Sequence, residues 1–588
     1  MNAKTTVQRV AAIALPALLI ACGGDSGSDA PVPPVVTPPA ALAIGGTAAT
    51  GAAIAGGTVT AKCSAGASTT ATTAADGTFT VSVTSGALPC VLQATSADGA
   101  TSLYSVATGS GASATANITP LTQLMVASLA GADPATLFAG FGSNGAGAVT
   151  STTVASAQAA VVKTLTTAGV DVSTLGDFVT GPLKAATSTT SGNAYDVALD
   201  TLQAKLAATV DSDGQAMTLA TLTAAVAAAS PAAPPAAPSS KLSLPPDLLL
   251  KPAASTCAAL RSGVYRVVEP TPGAGLAQEN GKMTIDAATL GVVYADGSTG
   301  TLVPHATEGC RFTNDGGKSD LVVSQAGVLA IRSYDSDTSK YGAGIAFPEQ
   351  AHTLAELAGT WNTLGMQYDS THAVYVGATA KATFSATGVL SDATSCGDAG
   401  DWNVATCAAV TSAMPTYQVD ADGGFDGIDA GATAASSRTF AYRSGSGDLM
   451  MVNVDDDGSF EVRTLAVAND VPLLGRVNTT WDLRYTNQWL GTPAVSESTN
   501  TVQTADATAG SVVRLAKTVG GTDDHLETVL LNSPRDGYNF RAATTVLGTD
   551  GTTSVPVTEW TNLGLHGMGL NALLRPAQKQ FMFSVQQQ

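Results

Sequence analysis

Proline makes the first division of this chain. Pro31, Pro33, Pro34, Pro38 and Pro39 crowd one short stretch, and Pro231, Pro234, Pro235, Pro238, Pro245 and Pro246 crowd another. Each ring fixes φ and removes a backbone donor, so neither a helix interior nor a central strand can run through such a stretch. Residues 22–40 therefore read as a spacer, flexible over Gly23–Gly27 and extended through the prolines. Residues 231–252 read as a linker between an N-terminal and a C-terminal half. A chain of 588 residues is too long for one core, and about three to five domains is the expectation.

Ahead of the first spacer stand Lys4 and Arg9, then an apolar run from Val10 to Ala21 that ends Leu19-Ile20-Ala21-Cys22. A basic start, a short apolar stretch and a small residue at the cut mark an export signal over residues 1–21. The cysteine directly after the small residue makes this stretch resemble a bacterial lipoprotein signal. That resemblance implies cleavage before Cys22, lipid on its thiol and an acylated amino terminus. Gly23, rather than Asp, follows the cysteine, which for a Gram-negative lipoprotein implies the outer membrane. The resemblance leaves open whether the bulk faces the periplasm or the outside. Acyl chains at about 0.8 kcal/mol per buried methylene would make such an anchor effectively permanent.

Without residues 1–21 the chain carries 25 basic and 46 acidic side chains, a formal net charge of −21. Such a surface repels phosphate backbones, which excludes nucleic acid as a partner. No later stretch reaches the roughly 18 apolar residues of a spanning helix. With Cys22 set aside for lipid, six cysteines remain, and they fall into local pairs: Cys63–Cys90, Cys257–Cys310 and Cys396–Cys407. As disulfides, which suit an oxidising compartment, loops of these lengths would each stabilise by roughly 3–4 kcal/mol. No Cys-x-x-Cys spacing suggests zinc.

Residues 41–118 alternate over short strands such as Thr78-Phe79-Thr80-Val81-Ser82-Val83, with an Asp76-Gly77 hairpin signal between strands. The order Val59-Thr60-Ala61-Lys62-Cys63, then Ala75-Asp76-Gly77-Thr78-Phe79, then Pro89-Cys90-Val91-Leu92 resembles the carboxypeptidase regulatory-like, or prealbumin-like, module. It implies a non-catalytic β-sandwich. Thr119-Pro120 then opens a helical domain over residues 119–230, with Thr119 as N-cap. Tyr195, Leu199, Leu202 and Leu206 step along one helix face there, and Ala-rich residues 218–229 supply the last helix.

Beyond the linker three strand openings look alike: Gly263-Val264-Tyr265, Gly359-Thr360-Trp361 and Thr479-Thr480-Trp481. They predict three diverged β units, each a small antiparallel sheet or barrel, over residues 253–352, 353–470 and 471–588. Gly359-x-Trp361 also resembles the first-strand motif of lipocalin-like barrels, which would imply an apolar ligand. The predicted fold class is multidomain, mainly β, with one α-helical domain.

Chemistry has few candidates. Gly24-Asp25-Ser26-Gly27 copies the letters around a serine nucleophile, but stands in the spacer. Gly140-x-Gly142-x-x-Gly145 follows a predicted helix instead of the strand that a dinucleotide fingerprint needs. His305, His352, His372, His525 and His566 show no metal spacing. Two acidic turns remain, one with Asp455 and Asp457, the other with Asp420 and Asp422. Alternating carboxylates before a glycine suit calcium, and equally suit an ordinary hairpin turn; neither stretch completes an EF-hand. No cofactor is expected beyond that calcium.

The expectation is thus a non-enzymatic outer-membrane lipoprotein with a binding or structural role, held to the membrane by its lipid and contacting carbohydrate or protein. A carrier of a small apolar ligand and a cryptic envelope hydrolase are the alternatives. An apolar lumen would favour the first; a cleft with Ser or Asp beside a histidine would favour the second.

Overall fold

The computed structural model describes residues 41–587 apart from 143–145, 234–241, 270–275, 277–280, 315, 336–339, 397–406, 487–494 and 522–523. The export signal, Cys22 and the first spacer lie outside the described residues.

Seven strands build a sandwich: β1 (Ala41–Thr47), β2 (Thr58–Ala65), β3 (Thr69–Thr72), β4 (Thr78–Thr84), β5 (Ala87–Thr95), β6 (Ser102–Ala107) and β7 (Ser113–Thr115). One sheet runs β4-β1-β7 and the other β3-β2-β5-β6. Strict alternation buries Phe79, Val81 and Val83 of β4 and exposes the threonines between them. The Asp76-Gly77 turn is present, but β3 and β4 belong to different sheets. The turn therefore carries the chain across the sandwich instead of closing a hairpin. Cys63 and Cys90 lie directly opposite on β2 and β5 and are joined.

Helix α1 (Pro120–Ala130) starts at Thr119, whose side chain accepts from the Thr122 amide while the Thr122 hydroxyl takes the Thr119 amide. It is followed by α2 (Pro134–Gly140), α3 (Ser151–Thr167), α4 (Ala194–Ala207) and α5 (Leu219–Ala228). α1 is buried from Pro120 to Ser128, since one side meets the sandwich and the others meet α3 and α5. Sandwich and helices consequently share one hydrophobic core.

The second proline stretch corrects the expectation of a linker. Pro246–Leu249 form a short helix, α6, and Leu244, Leu248, Leu249 and Leu250 enter the core of the N-terminal half. Four leucines among the prolines outweigh their breaking effect, because each buried leucine contributes about 2 kcal/mol. Arg261, fully buried, donates to the carbonyls of Val210, Asp211, Leu249 and Lys251 (2.8–3.3 Å), and Gly445 N–H donates to the Ser243 carbonyl. Residues from Ala41 onward form one compact unit, not two halves on a tether.

The three C-terminal units repeat one plan. In the first, strand Gly263–Val268 pairs with the next strand, Lys282–Asp286, and with the unit's last, Lys340–Pro348. In the second, Gly359–Asp369 pairs with Val374–Phe384 and Phe460–Leu465. In the third, Val477–Thr486 pairs with Val495–Asp506 and Gln580–Gln586. The first two units are nine-stranded sheets open on one side; the third closes into an eight-stranded barrel. The fold is mainly β with one helical region. Cys257–Cys310 staples the first unit and Cys396–Cys407 the second.

Every strand has two faces, and where these units meet both are buried. Inner faces form separate cores around Tyr265 and Phe312 in the first unit and around Trp361 and Phe425 in the second. Outer faces meet in one common core that joins Phe347 of the first unit, Tyr442 and Phe460 of the second, and Tyr485, Phe581 and Phe583 of the third. Three tyrosines tie the units in pairs. The Tyr442 hydroxyl donates to the Ala326 carbonyl (2.6 Å), Tyr485 to Ile331 (2.7 Å) and Tyr538 to Thr363 (2.6 Å). Arg266 of the first unit, 1% exposed, reaches the Asp422 carbonyl of the second (2.6 Å) and lies over the Phe440 ring.

The aligned openings hide a change of phase. Tyr265 and Trp361 point into their own units, whereas Trp481 points outward into the common core. Thr480, Asp482 and Arg484 then face the lumen of the third unit.

Candidate functional site

The second unit holds a cavity of about 410 Å³ lined by Trp361, Tyr417, Asn453, Asp455, Glu461 and Arg463 among others. Arg463 Nη2 donates to Glu461 Oε2 (2.9 Å), and Asn453 Nδ2 to Asp455 Oδ1 (2.9 Å). Burial, with the Glu461 carboxylate beside it, pushes the Asp455 carboxyl up to about 8.

The third barrel has a lumen of another kind. Val512, Val529, Trp560, Leu573 and Met582 form only a small apolar cluster inside it. Asp482 accepts from the hydroxyls of Ser498 (2.6 Å) and Ser584 (2.7 Å) on the two flanking strands. Nearer one mouth, Glu527 pairs with Arg514 (2.5 Å) and with Arg541, and both guanidiniums lie over the Trp560 ring at 5.3 Å. Burial alone would raise the Glu527 carboxyl, but Arg514, the His525 hydrogen bond and Arg541 together hold it well below the usual glutamate range.

Outside the same barrel a face stays uncovered. Val477, Thr501, Leu515 and Leu526 stand in register across four adjacent strands, on the side opposite to the lumen. Leu526 is 49% exposed and Val477 57%. Leu473 and Leu474, at 80% and 67%, precede Gly475, whose amide donates to the Val502 carbonyl on the second strand of the barrel. Leu530 adds to the same side.

No protein-family model matches the chain. No curated protein matches it either. Among solved structures it is similar to a protein of unknown function from the DUF3598 family of Nostoc punctiforme, at 10% identity over 41% of this chain and 100% of that one, with a TM-score of 0.15. It is also similar to the isotype 1 transferrin binding protein B of serogroup B Neisseria meningitidis, at 9% identity over 53% of this chain and 63% of that one, TM-score 0.17. A variant of transferrin binding protein B from Haemophilus parasuis gives 11%, 53%, 65% and 0.14. The chain thus spans just under two thirds of these two binding proteins. Likenesses this weak carry no argument about its function.

The predicted acidic turns are both hairpin connections, and they lie at opposite ends of the second unit's sheet, two strands apart in its order. Asp455 turns into the cavity, while Asp457 Oδ1 accepts from the Ser459 amide (2.7 Å). Asp420 Oδ2 accepts from the Asp422 amide (3.1 Å), and the Asp422 carboxylate pairs with Lys282 (3.1 Å) and Arg266 (3.4 Å). Among the described residues no three His, Cys, Asp or Glu side chains converge as for a metal. Part of the Gly140–Gly145 motif lies outside the described residues, and Gly140 ends α2.

His372 Nδ1 stands 2.7 Å from Asp369 Oδ2, but the imidazole is 67% exposed on a turn, with no cleft around it. The sequence reading missed Arg484, Arg514, Glu527, Arg541 and Arg575 altogether. Their signal was present as charges alternating with apolar residues, as in Asp482-Leu483-Arg484-Tyr485.

Proposed function

We propose that this chain is a lipid-anchored, non-enzymatic binding protein of the outer membrane whose partner is another protein. The observation that supports it most is the uncovered apolar face of the third barrel. Where the three units meet, their outer faces cover one another, yet here Val477 and Leu526 stand in water on the sheet, and Leu473 and Leu474 are exposed in the segment that leads into it. Apolar side chains gathered on a regular surface gain free energy only when something covers them. The lipoprotein signal ending at Cys22 supplies the location in this reading.

An apolar-ligand carrier fits less well, because the closed lumen carries Asp482, Glu527 and several arginines, and the cavity of the second unit is lined by Asp455, Glu461 and Arg463. Calcium is not needed for the reading.

The test is site-specific photocrosslinking from position 526 in intact cells, with Cys22→Ala as the location control. A discrete protein adduct that disappears in Leu473→Asp supports the proposal, as does loss of membrane association in Cys22→Ala. Adducts to lipid alone, or to nothing, overturn the protein partner. Unchanged fractionation of Cys22→Ala overturns the anchor.

A further inference from the structure

The lumen of the third barrel contains more positive charge than its acids neutralise. Arg484 lies on the first strand, opposite Met582, and shares the inward phase of Asp482. Arg575 ends the strand Leu570–Arg575 and shares the inward phase of Leu573. Thr561 faces Leu574 and Trp560 faces Arg541, so Arg575, Trp560 and Arg541 run across three adjacent strands at one level. Arg514 and Glu527 face each other on the next two strands round the barrel. Four arginines thus gather towards one mouth, with Glu527 among them and Asp482 one inward position deeper than Arg484.

Both acids are already engaged. Glu527 takes Arg514 and Arg541. Asp482 is held by the hydroxyls of Thr480, Ser498 and Ser584. Neither Arg484 nor Arg575 has a hydrogen-bond acceptor or a carboxylate within 4.0 Å among the described residues, and the Nε of each is buried without a partner. Burial, then the neighbouring Arg484 and Arg541, pushes the Arg575 guanidinium down to about 10. Two half-buried guanidiniums that face one lumen with no carboxylate paired to either repel each other, and an anion between them would relieve that cost. An unpartnered Nε is shared by other arginines of this chain, Arg261 among them, but their terminal nitrogens find acceptors, as those of Arg261 do at four carbonyls and Arg463 Nη2 does at Glu461.

We infer that the mouth of the third barrel binds a small oxyanion, a phosphate or carboxylate group held between Arg484 and Arg575. Guanidinium forks match paired oxygens and discriminate strongly against neutral ligands. The inference stands independently of the protein partner proposed above, since it concerns the inside of the barrel and not its outer face.

The experiment is calorimetric titration of the full chain with inorganic phosphate and, separately, with citrate, at constant ionic strength set by chloride. The expected result is one saturable site and a melting temperature that climbs with the anion. In Arg484→Gln/Arg575→Gln the affinity falls at least tenfold, while the melting temperature without anion holds or rises, because two unpaired charges are gone. A titration with polyphosphate separates the sources: tighter binding than phosphate assigns the oxyanion to the end of a larger molecule, and equal binding assigns it to a free ion. Absence of any saturable heat in the wild-type protein overturns the inference without recourse to a variant. So does equal binding by the double variant, with its β-type circular dichroism unchanged.

Discussion

The second and third C-terminal units share a strand plan and differ in what they enclose. The second is an open sheet whose first strand sends Trp361 inward, where its Nε1–H donates to the Leu357 carbonyl (2.9 Å) and its ring packs with Phe384, Tyr417 and Phe425. The third is a closed barrel whose first strand sends Asp482 and Arg484 inward and its aromatic residues outward. An open sheet must fill its concave face with large side chains, or water enters along its free edges. A closed barrel has no free edges, so its lumen can hold paired charges on a fixed frame. Buried charge is common to both, since Arg463, Glu461 and Asp455 line the inner face of the second unit; the third differs in holding its charges around only a small apolar cluster.

Six substitutions would break or sharpen that contrast. Trp361→Ala removes the central filler of the second unit and should cost about 3–5 kcal/mol in urea unfolding. A loss below about 1 kcal/mol would show that the open sheet does not depend on its filling. Glu527→Gln takes the shared acid from Arg514 and Arg541, and should cost about 3 kcal/mol at pH 7. Because the folded Glu527 carboxyl is depressed, its contribution is present above the unfolded value of about 4.3 and fades as the pH falls towards the folded one. The variant should therefore lose less stability than the wild type on acidification. A parallel acid profile would remove Glu527 from the account.

Asp455→Asn tests the second cavity in the opposite sense. The folded carboxyl keeps its proton between about 4, where the unfolded one loses it, and about 8. Wild-type stability should fall as the pH rises across that window, and the variant should flatten the fall, with a gain on the order of 1–3 kcal/mol at pH 8. Equal slopes in denaturation between pH 5 and 8 would refute this. The smallest effects belong to the ties between units. Tyr442→Phe, Tyr485→Phe and Tyr538→Phe each lose a buried hydrogen bond between units, about 1 kcal/mol apiece by thermal melting, and Tyr538→Phe also loses contacts to Ala380 and Arg535. Their sum should be reached in the triple variant unless the bonds act together.

Local chemistry in the sequence anticipated much of this. The Thr119 cap, the buried stripe of Tyr195, Leu199, Leu202 and Leu206, and the alternating strand Thr78–Thr84 all follow from the periodicity of a single element. The repeat of three units was legible from their openings. The phase of the third was not, because Trp481 copies the letters of Trp361 while its neighbours obey the opposite alternation. Nor could the role of the leucines after Pro246 be read, since what they bury against comes from α3 and α5, some 20–100 residues earlier. The arginine-rich mouth assembles from four strands spread between Arg484 and Arg575, and charges so far apart carry no spacing rule. Register, not pattern, brings them together.

The common core also sets an order of events for a chain that emerges amino terminus first. Its outer-face contributors run from Val268 to Val585, and the strand Gln580–Gln586 supplies Phe581, Phe583 and Val585 while pairing with a strand that began about 100 residues earlier. Until that strand arrives, Phe460 of the second unit lacks the Phe581 and Phe583 rings that meet it. A partly emerged chain is therefore a sticky intermediate, and a chain of this design depends on remaining unfolded, or chaperoned, until residue 585 has emerged.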